Sequence, residues 1–114
     1  MTSVRDASNV IFELMQETHK TAVEHGFIAD GIERDPLVLI ALLVSELGEL
    51  VDACRKPGPS EHIPTFTNIE EEAADILIRL LQMSNEMRLD LPEAMFAKMA
   101  FNNDRPYRHG GKLY

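Results

Sequence analysis

Leu37-Val-Leu-Ile-Ala-Leu-Leu-Val-Ser-Glu-Leu-Gly-Glu-Leu-Val51 is the stretch whose reading decides the fold. It opens on eight uninterrupted apolar residues, then places Glu46 and Glu49 three apart. Three residues of α-helix turn the chain by about 300°, so both carboxylates share a face. A second pair, Glu72 and Asp75, repeats that spacing and is followed by Ile76-Leu-Ile78 and Leu80-Leu81. Acidic groups beside apolar faces lose hydration, and four that face one another repel. A hard divalent cation relieves both, and an oxygen-only ligand set suits Mg²⁺, with Mn²⁺ as a substitute. Ordinary surface acids on amphipathic helices are the plain alternative. They would suffice for one Glu-x-x-Glu pair, and they explain two pairs beside two apolar stripes less well.

The helical period extends in both directions from this stretch. Apolar residues Val10, Ile11, Leu14, Met15 and Ala22 predict a first helix from about residue 2 to Gly26, a plausible stop. Asp35-Pro36 has the form of an N-cap and first-turn proline, so the second helix should run from Pro36 to about Lys56. Pro57-Gly58-Pro59 ends it. Thr67 with Glu70 has capping-box spacing and starts a third helix, expected to reach about Arg88. Glu70 and Glu71 are then read as first-turn, solvated acids. Asp90 should cap a shorter fourth helix ending near Asn103.

The fold expected is therefore all-α, a bundle of about four helices in a single domain over residues 1–114, with a basic tail over about 104–114. Aromatic residues make up only 6% and Trp is absent, so aliphatic residues and methionine must fill the core. Met83, Met87, Met95 and Met99 are assigned to it. The second helix, apolar all round in its first half, needs more cover than one small chain supplies. Homo-oligomerisation should complete that core.

Net charge is −8, which argues against a nucleic-acid partner. The longest apolar run is too short to cross a membrane, and no secretory leader is evident. Cys54 has no second cysteine to pair with, as expected of a reducing cytoplasm. Positive charge gathers near the C-terminus in Lys98, Arg105, Arg108, His109 and Lys112. Lys98, Asn102 and Arg105 are spaced to line one helix face, where they could hold phosphate oxygens. A solvated face would look the same. His19, His25 and His62 show no ligand spacing and read as surface or capping residues. Phe27 in the connector either stacks on a base or packs between helices.

These residues together match a known pattern. Glu46-Leu-Gly-Glu49, a spacer of 22 residues and Glu72-Ala-Ala-Asp75 resemble the carboxylate motif of the MazG-like, all-α nucleoside triphosphate pyrophosphohydrolases. Lys98-Met-Ala-Phe-Asn102, Arg105-Pro-Tyr-Arg-His-Gly-Gly-Lys112 and His25-Gly-Phe27 are also similar to a subgroup of that family. The resemblance spans roughly residues 19–112. It implies that Glu46, Glu49, Glu72 and Asp75 hold Mg²⁺ against a nucleotide triphosphate. It implies hydrolysis of (d)NTPs to monophosphate and pyrophosphate. A carboxylate not saturated by metal can take the water's proton, and Glu46 or Glu49 is read in that role. The resemblance also implies phosphate contacts from Lys98 and Asn102, weaker ones from Arg105 and His109, and a homodimer or dimer of dimers. Related connectors often carry Trp near the position of Phe27, which leaves base preference open. Two other readings use the same residues: a non-catalytic, metal-stabilised scaffold, and a phosphoribosyl-ATP pyrophosphohydrolase.

Overall fold

The computed structural model describes residues 3–29 and 31–106. It contains four helices: α1 (Val4–Glu24), α2 (Pro36–Arg55), α3 (Asn68–Glu86) and α4 (Leu91–Asn103). Among the described residues the only strand-like pairing is an isolated bridge between Pro59 and Thr67. The all-α expectation holds. The chain divides into two compact units, Leu14–Leu89 and Met1–Glu13 with Asp90–Tyr114, and α1 contributes to both.

In the unit Leu14–Leu89, the caps read from the sequence are present. The Asp35 side chain accepts from the Leu37 amide, and proline occupies the first turn of α2. Thr67 and Glu70 form the full capping box at the start of α3. Gly26, at φ +77°, stops α1 by taking the left-handed conformation that glycine adopts without steric cost. The end of α3 was less legible. The left-handed residue there is Arg88, at φ 55°, with the Leu89 amide returning to the Ser84 carbonyl.

Helices α2 and α3 pack along each other. Asn68 donates to the Lys56 carbonyl, Glu49 lies against Glu72, and Arg79 reaches back to Glu46. Numbers rising along α2 meet numbers falling along α3, so the pair is antiparallel. The buried apolar residues are Met15, Ala22, Ile28, Leu39, Ala53, Leu81 and Met83, a small core.

The second helix is largely uncovered within the single chain, which was not expected to cover it alone. Within the chain only Leu39 and Ala53 of α2 are buried. Its residues sort into two stripes with alternating three- and four-residue steps. Leu39, Leu42, Glu46, Glu49 and Ala53 form the stripe directed toward α3. Leu37, Ile40, Val44, Leu47 and Val51 form the other, and all five are exposed. The stripes are offset by two residues, about 200° around the helix, which puts them on opposite faces.

In the other unit, Asp90 occupies the N-cap position of α4 without a side-chain bond, and Pro92 is buried. Met95 and Met99 correct the core assignment. They are 38% and 55% exposed, whereas Met83 is buried. Helical spacing marks an apolar face, and it does not say whether the chain's own atoms cover that face. Lys98 lies over the Phe101 ring, with Nζ 4.4 Å from its centroid.

Thr67→Ala should lower stability by about 1 kcal/mol through loss of the capping box, visible as a fall in Tm of roughly 4–8 °C. An unchanged Tm would show that the bond from the Glu70 amide to Thr67 contributes nothing to the start of α3.

Candidate active site

The two carboxylate pairs meet across the α2–α3 seam. One oxygen each from Glu46, Glu72 and Asp75 lies within 4.8 Å of the others, close enough for one cation to bind all three. Glu49 is not among these three. It is exposed and sits beside Glu72, one turn along α2 from Glu46. The structure thus brings together three of the four expected metal ligands and places the fourth at their edge.

The electrostatics show strain of the expected kind. Burial lifts the Glu72 carboxyl above its ordinary range, and repulsion from Glu49 adds to it. Burial also lifts Asp75, with Glu46 and Glu71 contributing, while Arg79 and His62 act in the opposite direction. One oxygen of Glu46 and one of Glu72 are buried without any hydrogen-bond partner. Buried acceptors are ordinarily satisfied, so these orphan oxygens point to a ligand that supplies positive charge. A carboxylate-only donor set with unclaimed buried oxygens fits a hard divalent cation.

Beside the carboxylates is a cavity of about 480 Å³, within the size range of small-molecule sites. Glu46 and Asp75 line it together with His25, Phe27, Arg34, Leu42, Ile78, Arg79 and Gln82. Phe27 is 82% exposed, so it is a wall residue of this cavity with most of its ring open to solvent, and not a core residue.

The sequence reading missed Arg34, Arg79 and Gln82. Arg79 donates to Glu46 Oε1 at 2.9 Å. Gln82 donates its amide to the Thr18 carbonyl of α1. Arg34 makes a two-point ion pair with the nearly buried Glu86. A signal for Arg79 and Gln82, and for Glu86, was available. Continuing from Glu72 and Asp75 by steps of four, three and four gives Arg79, Gln82 and Glu86, one polar stripe along α3. Arg34 lies in the connector, and its pairing had no local signature.

Two further assignments need correction. Glu71 lies in the first turn as expected but is not simply solvated. His62 Nδ1 lies 2.6 Å from its Oε1, and this contact holds Glu71 below the usual range and His62 above its own. His19 is not a satisfied surface histidine, because its Nδ1 is buried without a partner. Glu70 is the capping residue it was read to be. Lys98, Asn102 and Arg105 belong to the other unit, where Arg105 also approaches the Phe101 ring. His109 lies outside the described residues. Among the described residues no helix is long and apolar enough to cross a membrane.

Comparison with known proteins places the chain in a family. The family described as MazG nucleotide pyrophosphohydrolase domain matches residues 34–105. The chain is 37% identical over 76 residues to dCTP pyrophosphatase 1 of Bos taurus, covering 61% of this chain and 45% of that protein. It is 35% identical over 80 residues to dCTP pyrophosphatase 1 of Homo sapiens, covering 65% and 47%. The chain thus spans about half the length of the curated relatives it matches. No solved structure matches it.

The raised carboxyls fix the sign of a pH effect. A carboxyl lifted in the folded state favours folding at low pH, and that contribution is lost as pH rises through its folded value. Glu72→Gln should therefore raise the metal-free Tm at about pH 8 and leave it nearly unchanged near pH 4. Divalent affinity of the unaltered protein, measured by calorimetry, should be weaker at about pH 5 than at pH 8. Equal affinities, or a Glu72→Gln protein less stable at pH 8, would contradict the strained-carboxylate description.

Proposed function

The chain belongs to the MazG nucleotide pyrophosphohydrolase domain family, and from that membership and the carboxylate seam we propose that it hydrolyses nucleoside triphosphates to monophosphate and pyrophosphate. The observation that carries the reading is the convergence of Glu46, Glu72 and Asp75 beside a nucleotide-sized cavity. The substrates proposed are deoxynucleoside or non-standard triphosphates. dCTP is the first to try, because the named relatives are dCTP pyrophosphatases.

Glu46, Glu72 and Asp75 would hold Mg²⁺, with Glu49 at the edge of the set. When bound, the ion neutralises triphosphate charge and makes a coordinated water more acidic. The chain's own residues do the rest. The carboxylate end of the cavity receives the phosphates, and Phe27, Ile78 and Leu42 offer apolar wall to the nucleoside. Water attacks the α-phosphorus, an O–P bond forms, and the bond to the bridging oxygen breaks so that pyrophosphate leaves. The water's proton passes to a carboxylate. Glu49 is better placed for this than Glu46, because it lies outside the three-oxygen cluster that would hold the metal. Such chemistry needs positioning and charge compensation, so the site requires no nucleophilic side chain. Phosphate contacts from Lys98, Asn102 and Arg105 rest on their spacing and the resemblance, and those from His109 on the resemblance alone.

Self-association belongs to the same proposal. The exposed stripe Leu37, Ile40, Val44, Leu47 and Val51 has the three–four spacing of a helix–helix seam. Covering it with the same stripe of a second copy would bury apolar side chains at about 25 cal/mol per Å².

Incubation with dCTP and Mg²⁺, followed by ³¹P NMR, should give monophosphate and pyrophosphate. Asp75→Asn should lower kcat/KM by at least about 100-fold, the scale of losing a charge-stabilising group, with the helical signal kept. Diphosphate and phosphate as products would overturn the site of attack. Absence of any product would leave a metal-stabilised scaffold as the reading. In light scattering the native protein should have at least a dimer's mass, and Ile40→Glu with Val44→Glu should reduce it. A native monomer would refute the self-association.

A further inference from the structure

Arg79 has no place in the Glu-x-x-Glu and Glu-x-x-Asp pattern, yet it is the cation in contact with the carboxylate cluster. Its guanidinium donates to Glu46 Oε1, one turn along α3 from Asp75, and it lines the cavity with both. The pair is only partly shielded, with side-chain exposures of 30% for Arg79 and 14% for Glu46. A guanidinium on a long stem can therefore turn from Glu46 toward the open cavity without leaving water. The other cation lining the cavity, Arg34, is engaged at two points by Glu86, whose side chain is 7% exposed. Arg34 is thus anchored, while Arg79 is held through a single nitrogen.

Charge accounting favours a mobile role. Glu46, Glu72 and Asp75 carry three formal charges, and Arg79 returns one. A divalent cation bound to the same three oxygens competes with Arg79 for Glu46 and repels it. An incoming triphosphate offers the guanidinium a replacement partner of matching geometry, since planar guanidinium groups bind phosphate through paired hydrogen bonds.

We propose that Arg79 is a triphosphate-binding arm, held on Glu46 as seen here and released to the phosphates when metal and substrate bind. The proposal rests on the pyrophosphohydrolase reading and adds to it a substrate-contacting residue outside the carboxylate motif. It also gives the parked pair a function. Without metal, Arg79 partly offsets the repulsion among the acids, and with metal it is free for the substrate.

The test uses Arg79→Gln and Arg79→Lys with two titrations by calorimetry. The first is Mn²⁺ alone. Arg79→Gln should bind it several-fold more tightly than the native protein, because a competing charge is gone. The second is inorganic tripolyphosphate in the presence of Mg²⁺. Arg79→Gln should bind it about 10- to 100-fold more weakly, the weight of one or two charge-assisted hydrogen bonds. Arg79→Lys should fall between, keeping the charge and losing the planar fork. A merely structural ion pair gives the opposite pattern: Mn²⁺ binding unchanged or weaker, and tripolyphosphate binding unchanged. That pattern overturns the proposal. If the native protein binds tripolyphosphate but hydrolyses no nucleotide, the functional reading fails, and the arm is judged by the binding data alone.

Discussion

Repulsion among carboxylates held in a helix–helix seam is the constraint on which the rest of this structure depends. Antiparallel packing of α2 on α3 brings Glu46, Glu72 and Asp75 together with Glu49 at their side. Water cannot fully hydrate them there, and the raised carboxyls of Glu72 and Asp75 record the penalty. Hydrophobic residues in the same places would stabilise the helix pair more. Acids placed against that preference are the feature on which the proposed binding role rests.

The surrounding residues manage this strain by unequal means. His62 engages Glu71 and draws a neighbouring acid away from the cluster. Arg79 covers one oxygen of Glu46 and leaves the other without a partner. Arg34 with Glu86, and Gln82 with the Thr18 carbonyl, tie the connector and α1 to the far end of the same α3 stripe. The stripe thus runs from carboxylates to a neutral amide to an anchored ion pair.

Much of this was legible in sequence because its causes are local. Caps at Asp35 and Thr67 and the stop at Gly26 follow from side-chain and backbone chemistry within a few residues. The paired spacing of the acids carried both the helices and the candidate cluster. What escaped depends on neighbours distant in sequence. Arg79 can be placed on the right face by spacing, but its bond to Glu46 exists only once α2 and α3 are antiparallel. The Arg34–Glu86 pair spans a separation of 52 residues. Met95 and Met99 failed differently, because periodicity reports an apolar face and not what covers it. The exposed stripe of α2 is the same lesson with opposite outcome, since its apolar excess was recognised in sequence and remains uncovered within the chain.

The most direct measurement is the anomalous diffraction of crystals of this protein grown with Mn²⁺. The account predicts a peak between Glu46, Glu72 and Asp75, with oxygen distances of about 2.0–2.3 Å. It also predicts that Arg79 no longer contacts Glu46 in that structure. A peak elsewhere, or no peak at saturating Mn²⁺, would contradict the claim that these acids are assembled to hold a cation.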